Sequence, residues 1–339
     1  MTWMAWRLQR SIYFFFVIVT AGLIGVVIAN GLHTESLLHQ WNDAPCHGGN
    51  GFNVKYQTYC PHLFGQFASS KSHDQFLAMM AIIPTTVLGL LLGANLVAGE
   101  IDHKTVRVAW TQSISRSHWL TSKGVVSISS LLILAVPLCL TYTWWIGAVQ
   151  YAPRVTTTAF AYDGWMPLVT GVFAFALATL IGIILRRPGW TIAAALIVMA
   201  LFMWTMQNEV RPNLVPLRTA VVQTTVIHKG NVIAMKPAHG APQNSWIIFQ
   251  GYTSLNSGTA APTRAEEDRL SIAVDKCTTG LPNGNIYVAC LHKLGIRSVE
   301  LYVGDNEFWA LQLREGGIYL LGSALLLGFS FFVIRCLKV

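Results

Sequence analysis

The chain has 339 residues, of which 53% are apolar and only 11% charged, with a mean hydropathy of +0.48 and a formal net charge of +8. Ordinary soluble domains carry roughly 25% charged residues, so this composition excludes one of them. The basic excess gathers in short loops between apolar runs, which is a membrane signature and not a nucleic-acid footprint.

Runs of about 20 apolar residues cross a hydrocarbon core at about 1.5 Å per residue. In lipid each backbone group must be satisfied within its own segment, so such runs are helices. Six of them occur: Ser11 to Gly31, Phe76 to Ala98, Gly124 to Val149, Trp165 to Leu185, Gly189 to Gln207, and Gly316 to Ile334. The first is basic and then apolar, like a secretory signal. Its run is long, however, and Asn30-Gly31-Leu32-His33 offers no small-x-small cleavage pattern, so it reads as a retained span.

The loop after the first span, residues 32–75, holds Cys46, Cys60 and five histidines, His33, His39, His47, His62 and His73. Imidazole and thiolate bind zinc or copper, but these spacings match no ligand pattern, and the loop reads as a solvated cap without a metal. Between spans two and three lies Gly99 to Lys123, rich in Thr, Trp, Arg and Gln. Thr105, Val108, Ala109 and Gln112 fall at helical spacing, which predicts an amphipathic helix parallel to the membrane. Ser115 to Leu120 then reads as a second helical start leading into span three.

Arg186-Arg187-Pro188 is the whole link between spans four and five, and so short a link predicts an antiparallel helical hairpin whose second helix opens on proline. Span five ends in Met199, Phe202, Met203, Trp204 and Met206. Met and aromatic side chains suit a cavity that repacks around different ligands, and they suit lipid contact or an interfacial belt equally well. The polar groups inside the spans are mild, Asn30, Asn95 and several threonines among them, and bond across helices or face a cavity.

Residues 208–315 are too polar to span and predict a mixed α/β domain. A hairpin is expected from Val221 to Ile227 and Asn231 to Met235, a strand at Ser245 to Gln250, and a helix capped at Thr263 running to about Val274.

Short loops retain Lys and Arg on the cytosolic side. With both termini inside, the cytosolic segments hold Arg7, Arg10, Lys104, Arg107, Arg116, Lys123, Arg186, Arg187, Arg335 and Lys338. The predicted fold is therefore α-helical and multi-pass in the cell membrane: residues 1–31, an extracellular loop at 32–75, helices two to five at 76–207 with a cytosolic segment at 99–123, an extracellular domain at 208–315, and the last helix and tail at 316–339. Cys46 with Cys60 and Cys277 with Cys290 then share oxidising compartments and pair as disulfides, or all six cysteines stay reduced; Cys139 and Cys336 are expected free.

No phosphate-binding glycine loop, His-Glu-x-x-His or Gly-x-Ser-x-Gly occurs in the chain. Enzymatic chemistry is therefore not expected, no catalytic residue is assigned, and any use of ATP has to run through another subunit.

Glu100 with His103-Lys104-Thr105-Val106-Arg107, then Trp110-Thr111-Gln112-Ser113-Ile114-Ser115-Arg116 and Lys123, resembles the coupling segment of actinobacterial-type permeases of the ABC-2 family. Arg211-Pro212 after span five and Phe308-Trp309-Ala310-Leu311-Gln312 with Gly316-Gly317-Ile318 resemble two further stretches of that group, in the same order. His103-Lys104 stands where His-Gly is more usual. The resemblance implies one half of a type V exporter, with a coupling helix between helices two and three. Its partners would be two ATPase subunits that bind ATP and Mg, and a second permease, identical or homologous. Glu100, Thr105, Arg107, Thr111, Gln112 and Arg116 would brace the ATPase, and a cavity drawing on spans two and five, at Asn95, Met199, Phe202, Met203 and Met206, would take a hydrophobic or amphipathic cargo such as an antibiotic, peptide or lipid. A membrane-anchored sensor that relays ligand binding to a cytosolic partner is the alternative from the residues alone. A membrane enzyme with its site in the His-rich loop lacks any catalytic motif.

Overall fold

The structure, a computed structural model, describes residues 2–43, 65–66, 76–99, 116–149, 154–221, 224–226, 235–237, 240–242, 244–254, 264–278, 290 and 293–336. Two compact units emerge: a membrane unit of Met1–Ala152, Thr157–Asn208 and Gln312–Val339, and a sheet-bearing unit of Pro153–Thr156 and Glu209–Leu311.

Among the described residues six helices are long and apolar enough to cross a membrane. In chain order the membrane unit has α1 (Thr2–Asp43), α2 (Ile82–Ala94), which runs on through a π-helical turn at Asn95–Gly99, α3 (Arg116–Val149), the short α4 (Thr157–Tyr162), α5 (Met166–Leu185) and α6 (Pro188–Thr205). The last helix, α8 (Phe308–Cys336), starts in the sheet-bearing unit and belongs to the membrane unit from Gln312 onward.

The α5–α6 link folds as its three residues require. Arg186 ends α5 in the left-handed region at φ 57°, donating its N–H to Gly182 O at 3.0 Å, Arg187 is extended, and Pro188 opens α6. Two helices outrun the apolar pattern. α1 continues beyond Gly31 to Asp43 because Val27, Gly31, Thr34 and Leu37 are buried along one helical face, and that face continues although the hydropathy falls. α8 begins at Phe308 instead of Gly316, since Phe308, Leu311, Gln312, Glu315 and Tyr319 form a buried stripe that includes two polar side chains.

One core joins five helices at the end where α3 begins: Tyr13 and Phe16 of α1, Leu88 and Leu92 of α2, Trp119 and Leu120 of α3, Phe175 of α5 and Ile334 of α8. A second, built on Val27, Ala78, Leu138, Tyr142 and Trp145, lies at the other end of α1 and α3. Trp145 Nε1 donates to Asn30 Oδ1 at 2.8 Å, so the polar Asn30 bonds across helices. α5 is buried along most of its length, whereas Ile18, Leu140, Ile197, Leu201, Leu321 and Leu325 are more than 60% exposed. Apolar faces of that extent belong against lipid or another chain.

In the sheet-bearing unit, β1 (Arg218–Val221), β5 (Ile296–Val303) and β4 (Trp246–Ser254) form an antiparallel sheet in the order β1-β5-β4. Its register pairs Arg218 with Tyr302 and Trp246 with Val303, and breaks at a bulge between Ile247 and Phe249. β2 (Thr224–Val226) and β3 (Met235–Pro237) pair separately, in the place of the expected hairpin. α7 (Arg264–Thr278) runs past Val274, which packs on Ile296; Thr263 lies outside the described residues. β5 carries a period-two alternation at Val299, Leu301 and Val303 that the sequence reading left unassigned, and alternation would leave Glu300 on the polar face. The structure buries that carboxylate fully, with Oε2 accepting from Ala241 N at 3.1 Å and Oε1 from Gln250 Nε2 at 3.2 Å.

Candidate functional site

The tightest packing in the membrane unit joins α2 to α5. Thr85, Gly89 and Gly93 recur every four residues and so stack along one face of α2. A Cβ built on Gly89 would run into Gly171 O, one on Gly93 into Phe175 O, and one on Gly171 would stand 2.9 Å from Thr85 O. Small residues allow membrane helices this approach, where main-chain contacts replace side-chain ones. The Gly-x-x-x-Gly spacing of span two carried this signal, and the sequence reading passed over it.

The seam runs down to Gly182, whose added Cβ would lie 3.4 Å from Ala98 Cβ and 3.5 Å from Thr191 Cγ2. At this end α2 relaxes into the π-helical turn Asn95–Gly99, with Asn95 Oδ1 3.3 Å from a Cβ built on Gly99. Single π-turns of this kind are frequent at functional joints. The segment expected to couple, Gly99 to Lys123, begins at the last residue of this turn. Glu100, Thr105, Arg107, Thr111 and Gln112 lie outside the described residues. Arg116 is the first residue of α3, whose start agrees with the helical onset read at Ser115 to Leu120; its side chain is not described.

The expected cavity residues divide between two places. Asn95 belongs to the end marked by Ala98 and Thr191, while Met199, Phe202, Met203 and Met206 stand 8 to 15 residues beyond Thr191, about 12 to 22 Å along α6. Met199 and Met206 are buried. The Phe202 ring stacks on Phe173 at 4.5 Å between centroids and meets Tyr319 edge-on at 5.3 Å, so it packs α6 onto α5 and α8.

The Phe-Trp-x-x-Gln…Gly stretch at the entry to α8 also acquires a physical role. Gln312 is fully buried; its Nε2 donates to Asp163 O at 2.9 Å, and its backbone O accepts from Trp165 Nε1 at 3.3 Å. It thereby fastens α8 to the turn between α4 and α5. That turn needs Gly164, at φ +63°, whose N–H is shared by Asp163 Oδ1 and Thr143 Oγ1. Gly316 leaves room for the Trp165 indole, since a Cβ there would stand 3.2 Å from Nε1. Phe308 and Trp309, within the sheet-bearing unit, take the Arg154 guanidinium 4.1 and 5.6 Å from their ring centroids.

A Cβ on Gly164 would sit 2.6 Å from Gln312 Oε1. Left-handed backbone and overpacking together make Gly164→Ala cost about 2 to 4 kcal/mol, read as a lower apparent melting temperature in detergent. Adding Gln312→Ala is expected to recover part of that loss, and additive effects would contradict the steric account.

Cys290 is disulfide-bonded, and Cys139 and Cys336 are free. Cys46, Cys60 and the side chain of Cys277 are outside the described residues, as are His47, His62 and His73. No cluster of His, Cys, Asp or Glu that would hold a metal occurs among the described residues.

Comparison with known proteins agrees with this architecture. Neither curated proteins nor solved structures gave a match. The family model for "ABC-2 membrane transporter related" proteins matches residues 17–211, which run from within α1 to the end of the α6 exit and take in both the α2–α5 seam and the segment between α2 and α3. Because that match spans more than half of the chain, and its six apolar helices make it a multi-pass membrane protein, the chain belongs to the ABC-2 membrane transporter related family and is a permease subunit of an ABC transporter that pairs with an ABC ATPase subunit.

Proposed function

We propose that this permease is one half of an ATP-driven exporter with a type V fold, joined to a second permease, identical or homologous, and to two ATPase subunits that supply ATP, Mg and all the hydrolytic chemistry. Both termini and the segment from Gly99 to Lys123 face the cytosol. The loop of residues 32–75 and the sheet-bearing unit are extracellular; Cys46 pairs with Cys60 in the loop, and Cys277 with Cys290 in the sheet-bearing unit. The cargo is hydrophobic or amphipathic, an antibiotic, peptide or lipid, taken into a cavity that draws on α2 and α6.

The observation that carries this reading is the α2–α5 seam set against the family match. The π-helical turn that ends α2 at Gly99 is joined in sequence to the rest of the coupling segment, so a push on that segment is delivered to α2. Backbones in contact at Gly89, Gly93 and Gly171 leave no slack, and α5 therefore moves with it. Glu100, Thr105, Arg107, Thr111, Gln112 and Arg116 brace the ATPase through charge-assisted hydrogen bonds.

The test is a search of the neighbouring reading frames for an ABC ATPase, followed by co-expression of that ATPase with this chain. The two are expected to purify together, identified by mass spectrometry, and to hydrolyse ATP in vesicles in a vanadate-sensitive way. A permease that inserts and elutes alone, without a phosphate-loop ATPase, would overturn the exporter reading and favour the sensor.

A further inference from the structure

A cavity of about 110 Å³ lies among α2, α3, α5 and α8, walled by Leu96, Leu120, Gly124, Ile128, Phe175 and Phe331 and partly open to the outside. Its surface is apolar. Even Thr179 in its wall presents no spare donor, because Oγ1 donates to Phe175 O at 2.7 Å. Apolar cavities exclude water, and one of about 150 Å³ accepts benzene, so this one has room for a few methylene groups. Within the hydrocarbon of a membrane, the apolar matter at hand is a lipid acyl chain.

Charge at the same end of the helices selects the kind of lipid. Leu327 and Phe331 line the cavity, and Arg335 follows at the next four-residue step on that face of α8. It is exposed and sits about 6 Å beyond Phe331 along the axis. His118 and Lys123 of α3, with Arg186 and Arg187 after α5, stand at this end as well; Lys123 Nζ lies 4.7 Å over the Trp119 ring. Among the described residues here, 2–20, 90–99, 116–130, 178–195 and 325–336, there is no Asp or Glu. A cationic rim attracts a phosphate.

We propose that this cavity seats an acyl chain of an anionic phospholipid whose phosphate is held at Arg335. This assignment does not depend on the exporter reading.

The test uses the full chain in phosphatidylcholine vesicles doped with a phosphatidylglycerol probe that carries a diazirine midway along one acyl chain. After irradiation, adducts are expected on Leu120 to Ile128 and Leu327 to Phe331. Gly124→Leu adds its side chain into open space and is expected to lower labelling about tenfold, a change of about 1.4 kcal/mol. Val125→Phe, at a lining residue that is 59% exposed, does the same and still reports if Gly124→Leu fails to insert. Arg335→Gln is expected to bring labelling by the phosphatidylglycerol probe down to that of a matched phosphatidylcholine probe. Adducts spread evenly over the lipid-facing helices, labelling that both cavity-filling variants leave intact, or equal labelling of the native chain by the two probes would each overturn the proposal.

Discussion

Gly93→Leu is expected to abolish recovery of folded protein. The position has no space for a side chain: a Cβ there would meet Phe175 O, with Ala178 Cβ at 3.0 Å and Phe175 C at 3.1 Å. Two of the three nearest atoms are backbone, which cannot swing aside as a rotamer does. The helices must part, and parting them opens the cluster in which Leu88, Leu92 and Phe175 pack together. Overpacking costs about 1 to 3 kcal/mol where side chains can yield, so Gly93→Ala is expected to fall in that range and Gly93→Leu above it. Against a total stability of about 5 to 15 kcal/mol, the larger change leaves little of the folded state. Fluorescence-detected size exclusion reads both, with Gly25→Leu as the control, because a Cβ on Gly25 meets nothing within 4 Å. A Gly93→Leu variant that elutes and melts like its parent would show that α2 and α5 are not joined as described.

Charge reversal at the two roots of the proposed coupling segment is expected to have the largest functional effect. Glu100 follows the last residue of the α2 π-turn and Arg116 is the first of α3, so each is anchored on one side by a helix of the membrane unit. Hydrogen bonds to charged groups contribute about 1.5 to 3 kcal/mol, and reversing the sign adds repulsion to their loss. Since each 1.4 kcal/mol is about tenfold in an equilibrium, Glu100→Lys or Arg116→Glu is expected to lower ATP-coupled transport at least about tenfold. Insertion and melting temperature should be unchanged, which separates this effect from the seam variants. Survival of both transport and stimulated ATP hydrolysis would remove the segment from the coupling path.

The six spans, the α5–α6 hairpin and the helical start before span three were legible because each rests on a local rule: an apolar run long enough to cross lipid, a proline that opens a helix, a charged turn that leads into one. The extension of α8 back to Phe308 was not, since it requires burying Gln312 and Glu315, which hydropathy counts as polar. The burial of Glu300 in β5 was hidden by the same effect. Of the candidate site, the family stretches could be read, and the alternation of spans already set Asn95 at the cytosolic end of span two and the Met-rich run at the outer end of span five. The packing of Phe202 on Phe173 and Tyr319 could not be read, because it joins residues of three helices that lie apart in the chain.

What the sequence determined by itself is the chain's solvent and class. Lipid satisfies no backbone group, so apolar length alone dictates helices, and the order of charged and aromatic residues between them carries the family. Which glycines permit contact, which ring Phe202 stacks on, and where a cavity remains were decided only by the tertiary structure, because these depend on backbones that approach to contact from segments distant in the chain, such as Gly89 and Gly171, and no local pattern encodes that distance.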